Sequence, residues 1–275
     1  MNQLTDAVAA VDAPRPRNYY TEPERIDVAA LPTAYRREGT GEPVLMLHGA
    51  GLTRMWLPFY AAAAKNCDFI APEHPGFGET PLPDWLSGIN DVVLHYDEFL
   101  HKLGIEQCHL VGYSLGGWLA AALASTYPRR FRSLTLIAPL GIRVDWGDIP
   151  DIFQVGPEGS WQRLFEDPSA MEPVLPDAHN LDEIEHAYGE ASAFARLAWT
   201  PRYDISLPRK LARVACPSLV VLPERDRLVP EQIGLAYAEA LPNARVERVS
   251  GTGHALIVEQ PDAVASLITK HCLEN

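Results

Sequence analysis

The stretch His109-Leu110-Val111-Gly112-Tyr113-Ser114-Leu115-Gly116-Gly117 governs how the rest of the chain is read. Its first four residues are a short apolar run of the kind that makes a strand buried on both faces. A helical pattern, Leu115–Tyr127, opens directly after Ser114. Turning from strand to helix within about two residues forces the middle residue into a strained conformation, and neighbours without side chains relieve the crowding. Ser114 is that residue, with Gly112 and Gly116 on either side. Its hydroxyl is thereby presented at the carboxyl edge of a sheet, beside the unpaired N–H groups and positive dipole end of the new helix. A G-x-S-x-G string alone says little, since a chain of this size holds one by chance roughly one time in ten. The strand-turn-helix setting gives it weight over the bland reading, a glycine-rich turn with an ordinary cap serine.

Working outward, the same rhythm repeats. Apolar runs at Val44–Leu47, Phe69–Ala71, His109–Gly112, Leu134–Ala138, Leu219–Leu222 and Arg245–Val249 alternate with helical patterns. The helices are expected near Trp56–Lys65, Asp91–Leu103, Leu115–Tyr127, Glu231–Ala240 and Ala263–His271, and Ile26–Val28 and Thr33–Arg37 read as leading antiparallel strands. This alternation predicts an α/β fold: a mostly parallel, roughly eight-stranded twisted sheet flanked by helices. The rhythm breaks after Ala138. Residues 141–208 are too long for a loop and hold aromatic residues among helical patterns, so they are expected to form an inserted helical unit. Residues 1–25 read as a Pro-rich polar arm, and residues 26–140 with 209–275 as one core domain.

The chain has 275 residues, 47% hydrophobic and 21% charged, which excludes a disordered segment or a disulfide scaffold. Cys67, Cys108, Cys216 and Cys272 form no C-x-x-C pair and read as buried thiols of a reducing compartment. Met1–Tyr20 holds no basic segment followed by an apolar one, and no run approaches the ~18 apolar residues of a membrane span. The cytoplasm is therefore the expected location. A net charge of −13 argues against nucleic acid and anionic membrane as partners, both being polyanions. Neither a dinucleotide fingerprint, a P-loop nor a metal-ligand helix appears, so no cofactor and no metal are expected. A homo-oligomer is compatible with the sequence, which does not decide the point.

A serine hydroxyl is a poor nucleophile until a base takes its proton. His254, in Ser250-Gly251-Thr252-Gly253-His254, follows the last expected strand, where the glycines let the backbone bend toward the same sheet edge. The base needs an acceptor to fix its tautomer. Asp226, after the strand Leu219–Leu222, is the candidate, with Glu224 a close rival and Asp145 a remote one. The run His48-Gly49-Ala50-Gly51 follows the strand Val44–Leu47. Small residues there leave backbone N–H groups free, so Ala50 and Leu115 are the expected pair of oxyanion donors. His48 is expected to pack and hydrogen-bond locally.

With these pieces in order, the chain resembles the α/β-hydrolase superfamily over about Tyr35–Leu273. The order Ser114, Asp226, His254 matches the family's nucleophile-acid-base order, and Pro75-Gly76-Phe77-Gly78 and the Asp226–Pro230 spacing match its turns. The resemblance implies a cap for residues 141–208 and a cofactor-independent serine hydrolase. Ser114 stands where haloalkane dehalogenases and epoxide hydrolases carry aspartate. Gly51-Leu52-Thr53 and Ala255 differ from the Gly-Pro-Gly loop and the tryptophan common in carbon–carbon hydrolases of ring-fission products. The leading expectation is cleavage of a small to medium apolar carboxylic ester through an acyl-enzyme. The alternatives are carbon–carbon hydrolysis of a vinylogous diketone, or a non-hydrolytic role as lyase, tailoring enzyme or small-molecule receptor. An insertion this aromatic is expected to wall a pocket for an apolar or aromatic small molecule, with Trp161, Phe165, Phe194 and Trp199 as candidates.

Overall fold

The computed structural model describes residues 18–144, 153–154, 156–174 and 180–275. The expected arm therefore lies largely outside the described residues, as does Asp145, the remote candidate for the acid. Eight strands form one sheet in the order β1-β2-β4-β3-β5-β6-β7-β8. They are β1 (Glu24–Val28), β2 (Leu31–Glu38), β3 (Pro43–Leu47), β4 (Asp68–Pro72), β5 (Cys108–Tyr113), β6 (Phe131–Ile137), β7 (Ser218–Pro223) and β8 (Ala244–Val249). The first two pair antiparallel to each other, β2 also pairs antiparallel to β4, and the other six run parallel. This is the mostly parallel α/β sheet expected from the sequence.

Burial explains the apolar runs. Every residue of β5 and β7 is buried, because helices cover both faces of the sheet. One face carries α2 (Ile89–Lys102), α3 (Leu115–Thr126), α6 (Leu207–Leu211) and α7 (Glu231–Ala240), packed around Leu45, Leu110 and Leu136. The other carries α1 (Pro58–Ala63), α8 (Leu256–Glu259) and α9 (Pro261–Leu273), packed around Val44, Val111 and Val221. Residues on successive strand positions thus feed opposite cores. Helix α3 is buried from Leu115 through Ser125, which suits its apolar character all round.

Some boundaries differ from the expectation. Helix α1 begins at Pro58, not Trp56, since proline is at home in the first turn and Trp56 packs into the core ahead of it. Strand β6 begins at Phe131, ahead of the apolar run, with exposed Arg132 breaking the pattern. Between β6 and β7 stand α4 (Gly156–Leu164), a 3-10 segment (Pro168–Val174) and α5 (Leu181–Ala198).

The strand order sets the position of the site. After β3 the chain crosses to β4 on one side and then to β5 on the other, so β3 and β5 flank a topological switch point. In such sheets the crevice at the carboxyl ends of those strands is the natural ligand site. Leu47 pairs with Gly112, which sets the His48–Gly49 loop beside Tyr113 and Ser114.

Candidate active site

Ser114 sits between β5 and α3 with φ 55° and ψ −115°, a conformation that costs energy for any residue with a side chain. Its neighbours show why small residues are needed there. A Cβ on Gly112 would lie 2.2 Å from the Gly116 carbonyl oxygen, and one on Gly116 would lie 2.0 Å from the Leu47 carbonyl oxygen. The Ser114 N–H donates to Ile137 O at 2.9 Å, and its carbonyl accepts from Gly117 N at 3.0 Å and Leu140 N at 3.1 Å. The strained turn is thus held from both sides, and the side chain is buried.

His254 Nε2 lies 2.9 Å from Ser114 Oγ, and His254 Nδ1 lies 2.7 Å from Asp226 Oδ2. A carboxylate only accepts, so Nδ1 carries the proton and Nε2 is left to accept from the serine hydroxyl. Asp226 is itself fixed, its Oδ1 accepting from Leu228 N at 2.8 Å and Val229 N at 2.7 Å. The Tyr113 hydroxyl donates to the His254 carbonyl at 3.1 Å, and Ala255 N donates to Leu164 O at 2.7 Å. Glu224, the rival acid, is exposed and accepts from Gly251 N at 2.7 Å. Arg225 and Arg227, the flanking cations, both reach Glu166 in the insertion.

The loop after β3 closes the other side. A Cβ on Gly49 would lie 2.9 Å from the Tyr113 ring and 3.1 Å from Ser114 Cβ, so only glycine lets the loop approach this closely. Among the described residues, the N–H groups of Ala50 and Leu115 have no acceptor. Behind the loop, His48 and His74 stack with ring centroids 3.7 Å apart. Burial pushes the His48 imidazole down to about 4 and the His74 imidazole well below its ordinary value, with the neighbouring His48 adding to the latter. His74 was not singled out by the sequence, where it stands directly before the turn Pro75-Gly76-Phe77-Gly78. Glu259 was missed too; it accepts from Gly253 N at 2.7 Å, Glu166 N at 2.7 Å and Asp167 N at 2.8 Å.

The insertion meets the sheet edge at two places. Buried Phe165 and half-buried Trp161 stack at 6.2 Å and pack in the core that holds Trp56, Tyr113 and Ala255. Phe194, also buried, packs in the core that holds Leu115, Trp118 and Ile142. Trp199 is 56% exposed and rests on Phe153 at 4.9 Å, so its ring faces largely to solvent. Helix α5 is tied to the β3 loop by polar contacts: Glu190 accepts from Thr53 Oγ1 and Gly78 N, and Arg54 pairs with Asp182 at 2.9 Å and Glu183 at 3.1 Å. Among the described residues no cluster of His, Cys, Asp or Glu is able to hold a metal ion, and no helix is long and apolar enough to cross a membrane.

The family model for the alpha/beta hydrolase family matches residues 44–267. The chain belongs to the alpha/beta hydrolase family. This α/β hydrolase is 27% identical to the 2-hydroxymuconate semialdehyde hydrolase of Pseudomonas putida, over 90% of its own length and 92% of the relative's. It is 30% identical to RutD of Pseudomonas savastanoi pv. phaseolicola, provisionally named a carbamate hydrolase, over 82% of its own length and 92% of the relative's. Among solved structures, a meta-cleavage product hydrolase (CumD) of Pseudomonas fluorescens superposes with a TM-score of 0.74 at 24% identity, covering 91% of this α/β hydrolase and 97% of that chain.

Proposed function

We propose that this α/β hydrolase cleaves small to medium apolar carboxylic esters through an acyl-enzyme. The observation that carries the reading is the unbroken hydrogen-bonded chain from Ser114 Oγ to His254 to Asp226, 2.9 and 2.7 Å, ending on a serine at a strained strand-helix turn. In this reading Ser114 Oγ attacks the ester carbonyl as His254 Nε2 takes its proton. The Ala50 and Leu115 N–H groups receive the developing oxyanion. His254 returns the proton to the departing alkoxide, which leaves as the alcohol. Water then attacks the acyl-enzyme with His254 as base, releasing the carboxylic acid and restoring Ser114. Asp226 holds the imidazole in the Nδ1–H tautomer and stabilises the imidazolium between the two proton transfers.

Helices α4 and α5 act as the cap in this proposal, and Phe165, Trp161 and Phe194 supply the apolar contacts that support a preference for uncharged substrates. The four free thiols support a reducing compartment, the cytoplasm. A second reading, hydrolysis of a carbon–carbon bond in a ring-fission product, is favoured by the near full-length similarity to a 2-hydroxymuconate semialdehyde hydrolase. Leu52-Thr53 and Ala255 weigh against it, as set out from the sequence.

The deciding experiment measures kcat/KM for p-nitrophenyl esters from acetate to palmitate alongside a 2-hydroxy-6-oxo-hexadienoate, with Ser114→Ala as control. Burying one more methylene is worth about 0.8 kcal/mol, so the ester series is expected to climb several-fold per carbon until the pocket is full and then to fall. A dienoate turned over orders of magnitude faster than every ester would move the assignment to the second reading.

A further inference from the structure

The stacked His48–His74 pair holds two main-chain carbonyls of the loop after β3. His74 N–H donates to His48 Nε2 at 3.0 Å, so that nitrogen is an acceptor and the His48 proton sits on Nδ1. His48 Nδ1–H then donates to the Gly49 carbonyl at 2.6 Å. On the other ring, the Tyr96 hydroxyl donates to His74 Nδ1, which places the His74 proton on Nε2, and Nε2–H donates to the His48 carbonyl at 2.8 Å. Both rings and the tyrosine are buried. Every ring nitrogen of the pair is used, and each tautomer is dictated by a main-chain group with one role only: the His74 N–H donates and the His48 carbonyl accepts.

Two consecutive carbonyls, His48 and Gly49, are therefore pulled toward the imidazoles. In a planar trans peptide the carbonyl and the N–H of one unit point in opposite directions. Drawing the Gly49 carbonyl to His48 turns the Ala50 N–H away from the pair, and drawing the His48 carbonyl to His74 does the same for the Gly49 N–H. The loop meets the serine at Gly49, where an added Cβ would lie 3.1 Å from Ser114 Cβ. Tyr96 lies on α2 and His74 just past β4, so this arrangement is fixed from two elements independent of the loop it orients.

We propose that His74 is a positioning residue: held by Tyr96, its Nε2–H fixes the His48 carbonyl, and with it the base of the loop whose next peptide, held by His48, aims the Ala50 N–H at the reacting carbonyl oxygen. The inference rests on the serine-hydrolase reading above. An oxyanion donor acts on charge that exists only in the transition state, so misdirecting it lowers kcat and leaves KM nearly alone. Deleting one such donor costs about 10²–10³ in kcat, and a misaimed one is expected to cost at least about 10-fold. His74→Phe keeps a planar, somewhat larger ring and loses both hydrogen bonds of the side chain. His74→Gln carries an amide N–H able to reach the His48 carbonyl.

The test is steady-state kinetics on a turned-over p-nitrophenyl ester, with Ser114→Ala in parallel. His74→Phe is expected to lose kcat by at least about 10-fold with KM within about twofold, and His74→Gln to recover much of that loss. Long-range 1H–15N NMR on the wild-type protein is expected to show His48 as the Nδ1–H tautomer and His74 as the Nε2–H tautomer, and it does not depend on any variant folding. Wild-type kcat in a folded His74→Phe protein, or either ring found as the other tautomer, overturns the positioning role. Activity surviving in Ser114→Ala instead overturns the serine-hydrolase reading on which it rests.

Discussion

Acid should weaken this protein well before most of its carboxylates protonate, because burial holds several histidines neutral, His48, His74 and His95 most strongly. His48 and His95 are both held at about 4 by burial, against an ordinary 6.5, and His74 lies well below its ordinary value for the same reason. A histidine with a lowered folded value binds its proton more readily in the unfolded chain. Its contribution to stability is therefore complete above about pH 6.5 and is lost as the pH falls toward 4. At pH 5, a shift from 6.5 to about 4 removes about 2 kcal/mol per group relative to pH 7.5, or about 4 kcal/mol for His48 and His95 together. His74 adds to the loss in the same direction. Against a typical total of about 5–15 kcal/mol this is a large share. Urea unfolding followed by tryptophan fluorescence at pH 7.5 and 5.0 measures it: with a slope of about 3 kcal/mol/M, the midpoint should fall by more than about 1 M. His95→Gln should remove about 2 kcal/mol of that dependence, because glutamine does not titrate. A midpoint that moves by less than about 0.3 M, or a variant with the full wild-type dependence, would refute the reasoning.

A fluorophosphonate should add one adduct to the intact mass and none to Ser114→Ala; labelling that survives the substitution would move the nucleophile elsewhere. Asp226→Asn should cost far more turnover than Glu224→Gln, toward the roughly 10⁴-fold that the same change costs in serine proteases, since an asparagine permits the wrong imidazole tautomer. Equal losses, read from kcat/KM, would mean that Glu224 shares the role. Gly116→Ala and Gly189→Ala should part company by thermal unfolding. The first drives a Cβ onto the Leu47 and His48 carbonyls and should lower Tm by more than about 5 °C, whereas the second meets nothing within 4 Å on α5 and should raise it by about 1–3 °C.

The strands were legible because both faces of the sheet are covered, which leaves unbroken apolar runs such as Leu219–Leu222 with little polar interruption. Ser114, Asp226 and His254 were legible because each stands within a few residues of a strand end, and the parallel sheet brings those ends to one edge. Position along the chain was enough. What failed was anything depending on lateral order. His74 meets His48 only because β4 lies next to β3, a pairing that no periodicity announces. Glu183 and Glu190 carry a residue type that reads as solvent-facing, yet both are buried by Arg54, Thr53 and Gly78 of the loops beneath α5. Helices α6 and α8, five and four residues long, are too short to show a period of 3.6.

The carboxylate of Glu259 joins parts of the molecule that are distant in sequence. One oxygen takes the N–H of Gly253, next to His254, and the other takes the N–H groups of Glu166 and Asp167 in the insertion. The attachment is to main chain on every side, so it is indifferent to which side chains the insertion carries. The side chains of the insertion can then change while its main chain stays attached beside Gly253. A graft of a foreign insertion onto this sheet should keep this attachment if its first helix is followed by two consecutive unpaired amides, and should lose it if a proline falls at either of them.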